Sequence, residues 1–221
     1  MRRGFTLAEV LVTLGIIGVV SAMTVPTLMQ NYQRKSYVTQ LHKVYNEFSQ
    51  ALLQYQTDKN AVNLTEAGLV SQDAANSFVK SYFKTVQECD SMDDCFEDKY
   101  MTLSGENFST YSRSVHSFVL ANGASVRVSY VKELENSVNK LFNVGVDVNG
   151  KKGPNILGRD LFFFAVYNNG LIDDFIDNNS VPPLSKDDRE SKFQSQCNSG
   201  AKSSGWGCFG KILNDNWEMT Y

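Results

Sequence analysis

The chain has 221 residues, a mass of 24.7 kDa and a formal charge of −3, from 21 Lys and Arg against 24 Asp and Glu. That length is a prior for one N-terminal segment plus one globular domain, with enough chain for a real core. The acidic balance excludes nucleic-acid binding through a broad basic surface, and two histidines with four cysteines at non-ligand spacing argue against zinc.

The chain opens on Arg2-Arg3-Gly4-Phe5-Thr6-Leu7-Ala8-Glu9. Behind it, Val10 to Gln33 carries no charged residue and Val10 to Val25 is almost wholly apolar. That is about the ~20 residues a helix needs to cross a bilayer core. Arg2 and Arg3 belong on the cytoplasmic side, which directs the rest of the chain outward. Glu9 is the anomaly, because a carboxylate in hydrocarbon costs roughly 2.5–3.5 kcal/mol on insertion scales and so asks for a partner. A chain cut after Gly4 would supply one, the new α-amino group of Phe5. Two plainer readings compete: a secretory signal peptide cut after Val20-Ser21-Ala22, and an uncleaved signal anchor. Glu9 sits badly at the mouth of a signal peptide's apolar core, and the helical pattern runs on past Ala22.

Gly4, Phe5-Thr6-Leu7, Glu9 and the apolar run together resemble the N-terminus of the type IV pilin and type II secretion pseudopilin superfamily. The resemblance implies cleavage between Gly4 and Phe5 by a prepilin peptidase, N-methylation of Phe5, and assembly of the mature chain through Glu9. It implies other pilin or pseudopilin subunits and an inner-membrane assembly platform as partners. The expected protein is a single-pass inner-membrane chain with its head in the periplasm or outside the cell, and a filament subunit after assembly. It is read as a structural subunit, a minor one, of a type IV pilus or type II secretion pseudopilus. The alternative is a membrane-anchored extracytoplasmic binding or adhesion module that enters no filament. The expected division is a leader at 1–4, a membrane or filament-core helix at 5–29, its amphipathic continuation at 30–56 and a globular head at 57–221. The fold class is α+β, the long helix packed against an antiparallel sheet.

Further along, Pro26 cannot donate to the carbonyl of Ala22 and is expected to kink or loosen the helix. Pilins often carry a proline there. From Tyr37 on, Tyr37, Leu41, Val44, Tyr45, Phe48, Ala51, Leu52 and Tyr55 recur at three- and four-residue spacing, an amphipathic stripe. One helix through both halves would be roughly 75 Å long at 1.5 Å per residue. Thr57 to Asn63 reads as a turn. Ser71 is an N-cap candidate for a short helix carrying Ala75, Phe78, Val79, Tyr82 and Phe83.

Glu88 to Asp98 is an acidic loop containing Cys89 and Cys95. Of the three connectivities open to four cysteines, the spacings favour the local pairs Cys89/Cys95 and Cys197/Cys208. Behind a membrane anchor, disulfides imply an oxidising compartment; reduced thiols are the rival. A C-terminal disulfide loop is also similar to that of many type IV pilins.

Strands are expected at 117–120 and 125–131 around the turn Asn122-Gly123, at 142–148 by period-two alternation, and at 161–166 as a covered apolar run. Four strands in hairpin order suggest an antiparallel meander. Between the last two, Asp147-Val148-Asn149-Gly150 resembles half of a calcium loop, making Asp147 and Asn149 weak calcium candidates. Some pseudopilins bind calcium, but here the closing glutamate is missing and Lys151 and Lys152 intrude. A strand connection is the plainer reading, and no cofactor is expected. No nucleophile elbow, His-Glu-x-x-His or phosphate-cradling loop is present, so no enzyme is expected. Pro182-Pro183 opens a polar C-terminal segment ending in a short helix-like stretch to Trp217 and Tyr221.

Overall fold

The computed structural model of the chain describes residues 6–131, 140–177 and 181–221. The chain divides after Ser36 into two compact units, crossed by one helix, α1 (Leu7–Asp58).

In the first unit, α1 is apolar on every side. An 18-residue window reaches a mean hydropathy of 2.0 with none of it buried, long and apolar enough to cross a membrane. Its few hydroxyls bond back to the helix itself: Thr13 Oγ1 to the carbonyl of Glu9 at 2.9 Å and Thr24 Oγ1 to that of Val20 at 2.9 Å. They therefore add little desolvation cost to the span. Pro26 lies inside α1, and the helix is continuous through it.

In the second unit, α1 buries Val38, Leu41, Val44, Phe48, Ala51 and Leu52, a stripe at helical spacing. Then follow α2 (Gln72–Tyr82), β1 (Thr85–Cys89), β2 (Tyr100–Met101), β3 (Asn107–Phe108), β4 (Ser117–Leu120), β5 (Ser125–Tyr130), β6 (Lys140–Asp147), β7 (Leu161–Tyr167), β8 (Ile172–Asp173), α3 (Lys186–Lys192) and α4 (Cys208–Asn214). Ser71 caps α2, its hydroxyl accepting from Ala74 N at 3.1 Å. The main sheet is six-stranded and antiparallel in the order β1-β4-β5-β6-β7-β8, with β2 and β3 forming a separate ribbon. The fold is α+β, with the long helix against the sheet. Phe48 meets Phe164 of β7 edge-on at 5.6 Å and Phe83 at 4.5 Å, while Tyr45 meets Phe209 of α4 at 6.1 Å.

The meander is longer than its alternation suggests. β1 and β8 add an edge on each side; β1 exposes Val86, Gln87 and Glu88, so it lacks the buried periodicity that marks a strand. β6 is also not half-buried. All of it but Asn143 is buried, because the face away from α1 has a cover of its own. There Phe108 and Tyr111 stack at 5.0 Å and close over Phe163 at 6.0 and 5.6 Å. Arg127, Gly145 and Phe163 stand in one cross-strand row. The Arg127 guanidinium lies over the Tyr111 and Phe163 rings and donates to the carbonyl of Ser112 at 2.7 Å. Gly145 makes room for it: a Cβ there would come within 2.9 Å of both Arg127 Nε and Phe163 Cε1.

The polar C-terminal segment contains two short α-helices rather than one, with a π-helical turn (Phe193–Cys197) and a 3-10 turn (Gly200–Lys202) between them. Ser185 caps α3 by accepting from Asp188 N. α4 ends at Asn214, and Trp217 follows at φ 62°, stacked on His42 of α1 at 4.0 Å.

Candidate functional site

The residues the sequence singles out fall in two places, the start of α1 and the loops of the head. Gly4 and Phe5 lie outside the described residues. Glu9 is in the first turn of α1 and is engaged by the chain immediately before it. Its Oε2 accepts from Thr6 N at 2.8 Å and from Thr6 Oγ1 at 2.7 Å, while Thr6 Oγ1 accepts from Glu9 N at 3.3 Å. This is a reciprocal capping box, the pattern that Thr-x-x-Glu encodes. It satisfies two of the backbone donors that every helix start leaves open. Both bonds fall on Oε2, so among the described residues Oε1 takes none. Behind Glu9, Leu11, Leu14, Ile16, Ile17, Val19 and Val20 are each more than half exposed. A Cβ placed on Gly15 or Gly18 would touch nothing within 4 Å, leaving the backbone approachable there.

In the head, Cys89 is joined to Cys95 and Cys197 to Cys208. The first closes the acidic loop, whose apolar members Met92 and Phe96 turn into the core while its acids stay outside. Asp93 pairs with Arg113 at 2.8 Å, and Arg113 also reaches the carbonyl of Glu97. Glu88 meets Lys80 in the last turn of α2 and His116 just before β4. His42 stacks on Trp217 and the His116 ring shares a hydrogen bond with Glu88 at 2.7 Å.

Asp147 is fully buried. Its Oδ2 accepts from the Tyr100 hydroxyl at 2.5 Å, pinning the β2 segment to β6, and its Oδ1 accepts from Asn149 N at 3.2 Å. The Asn149 amide nitrogen donates to the carbonyl of Gly153. Among the described residues, no group of three or more His, Cys, Asp or Glu side chains could hold a metal ion. Burial pushes the Asp147 carboxyl up to about 8, with the nearby Asp160 adding to it. The folded value stands above the unfolded one, so between about 4 and 8 the folded head keeps a proton that the unfolded chain has released. Stability from this group is complete below that window and is lost as pH rises through it. Asp174, raised to about 6 by burial, acts with the same sign over the lower part. The melting temperature of the full chain in detergent is therefore expected to fall as pH is raised from about 5 to about 8.5, and Asp147→Asn to flatten the upper part of that fall.

Sequence reasoning missed the best-built polar site of the head. Asp174, immediately after β8, is wholly buried and accepts from Phe175 N at 2.7 Å, Gly207 N at 2.9 Å and Gly210 N at 2.7 Å. Beside it, Arg189 of α3 grips Asp173 with two bonds, Nε to Oδ1 at 2.9 Å and Nη2 to Oδ2 at 2.7 Å. These contacts tie the C-terminal segment to the end of β8, and the Cys197–Cys208 bridge closes a loop within that segment. The Asp173-Asp174 pair is a visible signal, but its partners are remote in sequence.

Residues 1–25 match a family model described as the prokaryotic N-terminal methylation motif. The chain is also similar to the prepilin peptidase-dependent protein D of Escherichia coli (strain K12), 34% identical over 80 residues. That stretch is 36% of this chain and 49% of the relative, so the chain spans about half the length of the curated relative it matches. No solved structure matches the chain. The matched residues take in Gly4-Phe5, Glu9 and the start of the exposed apolar helix: the chain carries a prepilin-type N-terminal methylation motif.

Proposed function

We propose that this chain is a prepilin whose mature form is a structural subunit, a minor one, of a type IV pilus or type II secretion pseudopilus. A prepilin peptidase cuts between Gly4 and Phe5 and methylates the new amine. The apolar part of α1 is held in the inner membrane with the head outside the cytoplasm, then passes into a filament with other pilin or pseudopilin subunits on a membrane platform. The observation that carries this reading is the place of Glu9: four residues after Phe5 in the sequence and in the first turn of an exposed apolar helix. An ammonium and a carboxylate neutralise one another where either alone would be costly. Oε1 is the oxygen left for that ammonium, within one chain or from the amine of a neighbouring subunit. Repeated head-to-tail, such a contact does not close, which is the geometry of fibres.

Intact-mass and N-terminal analysis of the protein from its native cell tests this. A mature chain beginning at N-methylated Phe5 is expected. A chain beginning at Met23 would instead mark a secretory signal, and one retaining Met1 an uncleaved anchor.

A further inference from the structure

We infer that Arg34 binds phospholipid, its guanidinium taking the headgroup phosphate of the leaflet from which α1 leaves the membrane. This rests on the proposed membrane span of α1. Arginines of the head are engaged within the chain: Arg113, Arg127 and Arg189 donate to oxygens of Asp93, Ser112 and Asp173 respectively. Arg34 is not. It lies near the C-terminal end of the first unit, and among the described residues it enters no hydrogen bond or ion pair. A guanidinium presents five donors in a planar fork that fits carboxylate and phosphate oxygens.

Depth decides which anion meets it. The uncharged run Val10 to Met29 covers about 30 Å at 1.5 Å per residue, the thickness of the hydrocarbon layer. With that run in hydrocarbon, Arg34 stands about 7.5 Å beyond Met29 along the helix axis. The headgroup layer adds about 5–7.5 Å on each side, so the guanidinium falls among the lipid phosphates. There it can pair bidentately with two oxygens of one phosphate, the strongest form of this contact. Tyr32 marks the same layer: its side chain is 75% exposed, at the depth where tyrosines gather in membrane proteins. Successive residues turn about 100° around a helix, so Tyr32, Arg34 and Lys35 stand on different sides of α1. A headgroup contact is therefore kept however the helix is rotated. The clamp fixes the depth of the stored helix, and it is given up when α1 leaves lipid for a filament.

The test is solid-state NMR of the full-length chain, isotope-labelled at arginine, in bilayers of phosphatidylethanolamine and phosphatidylglycerol. Lipid phosphorus dephases the Cζ signal of any arginine that touches a phosphate. Arg34→Gln is expected to lose one dephased arginine signal and to leave those of Arg113, Arg127 and Arg189 as they were. Arg34→Lys, labelled at lysine, is expected to gain a dephased Nζ signal, because the ammonium reaches the same phosphate as a point charge. The same dephased signals in the native and Arg34→Gln chains would overturn the inference. A chain that alkaline carbonate strips from the bilayers refutes the membrane span instead.

Discussion

Glu9→Ala and Glu9→Leu chains are expected to accumulate in the membrane at native levels and to be absent from filaments. The apolar run from Val10 to Val25 is untouched by either change, and removing a carboxylate makes insertion easier by roughly 2.5–3.5 kcal/mol. What is lost is the counter-charge for the Phe5 amine, which is then left unpaired in a low-dielectric bundle, a penalty of several kcal/mol per subunit. Membrane fractionation against sheared filament fractions reads both halves of this result. Glu9→Gln sharpens it, because Gln keeps the capping box with Thr6 but has no charge. If Glu9→Gln enters filaments normally, the carboxylate has no role in assembly.

The largest loss of stability is expected at Asp174. Asp174→Ala strands the N–H groups of Phe175, Gly207 and Gly210 inside the head. Each stranded buried donor costs about 1–3 kcal/mol, so the change should cost about 3–5 kcal/mol or more. That is a large share of the 5–15 kcal/mol that holds a typical domain together. Asp174→Asn keeps one acceptor oxygen and should lose less. Gly207 cannot easily move to compensate. It sits at φ 90°, and a Cβ there would meet the Lys192 carbonyl at 2.5 Å, so this turn is already in close contact with the end of α3. Urea unfolding of the full chain in detergent, with limited proteolysis of residues 181–221, checks the prediction. An Asp174→Ala chain with an unchanged midpoint would show that those donors find other partners.

Much of the architecture is legible in the sequence because its signals are local. The stripe Leu41, Val44, Phe48, Ala51, Leu52 states its own period, Ser71 precedes a run it can cap, and Asn122-Gly123 stands between two alternating segments. Thr6-x-x-Glu9 is equally local, yet in sequence the Glu draws attention for its charge while the threonine that holds it passes unnoticed. What escapes is set by distance along the chain. The cover over the outer face of the sheet depends on Phe108 and Tyr111 reaching Phe163. Nothing in the sequence near Arg127 announces the rings of Tyr111 and Phe163 that its guanidinium lies over. Edge strands escape for a different reason. β1 pairs with β4 through its backbone while its side chains face solvent, so nothing in its composition reports the pairing.

The packing of α1 also bears on when the head can form. The helix is made first, and although Phe78 and Phe83 follow it soon, its other partners come late: Phe164 on β7, Phe209 on α4, and Trp217 after it. Contacts between the two ends of a chain are slow to form, because a long loop must close before any stabilisation returns. Until the last strands and α4 emerge, the stripe through Leu41, Val44 and Phe48 is therefore only partly covered. Completion of the head thus waits on the end of the chain, and a nascent chain halted before α4 carries an apolar stripe that nothing in it can yet close.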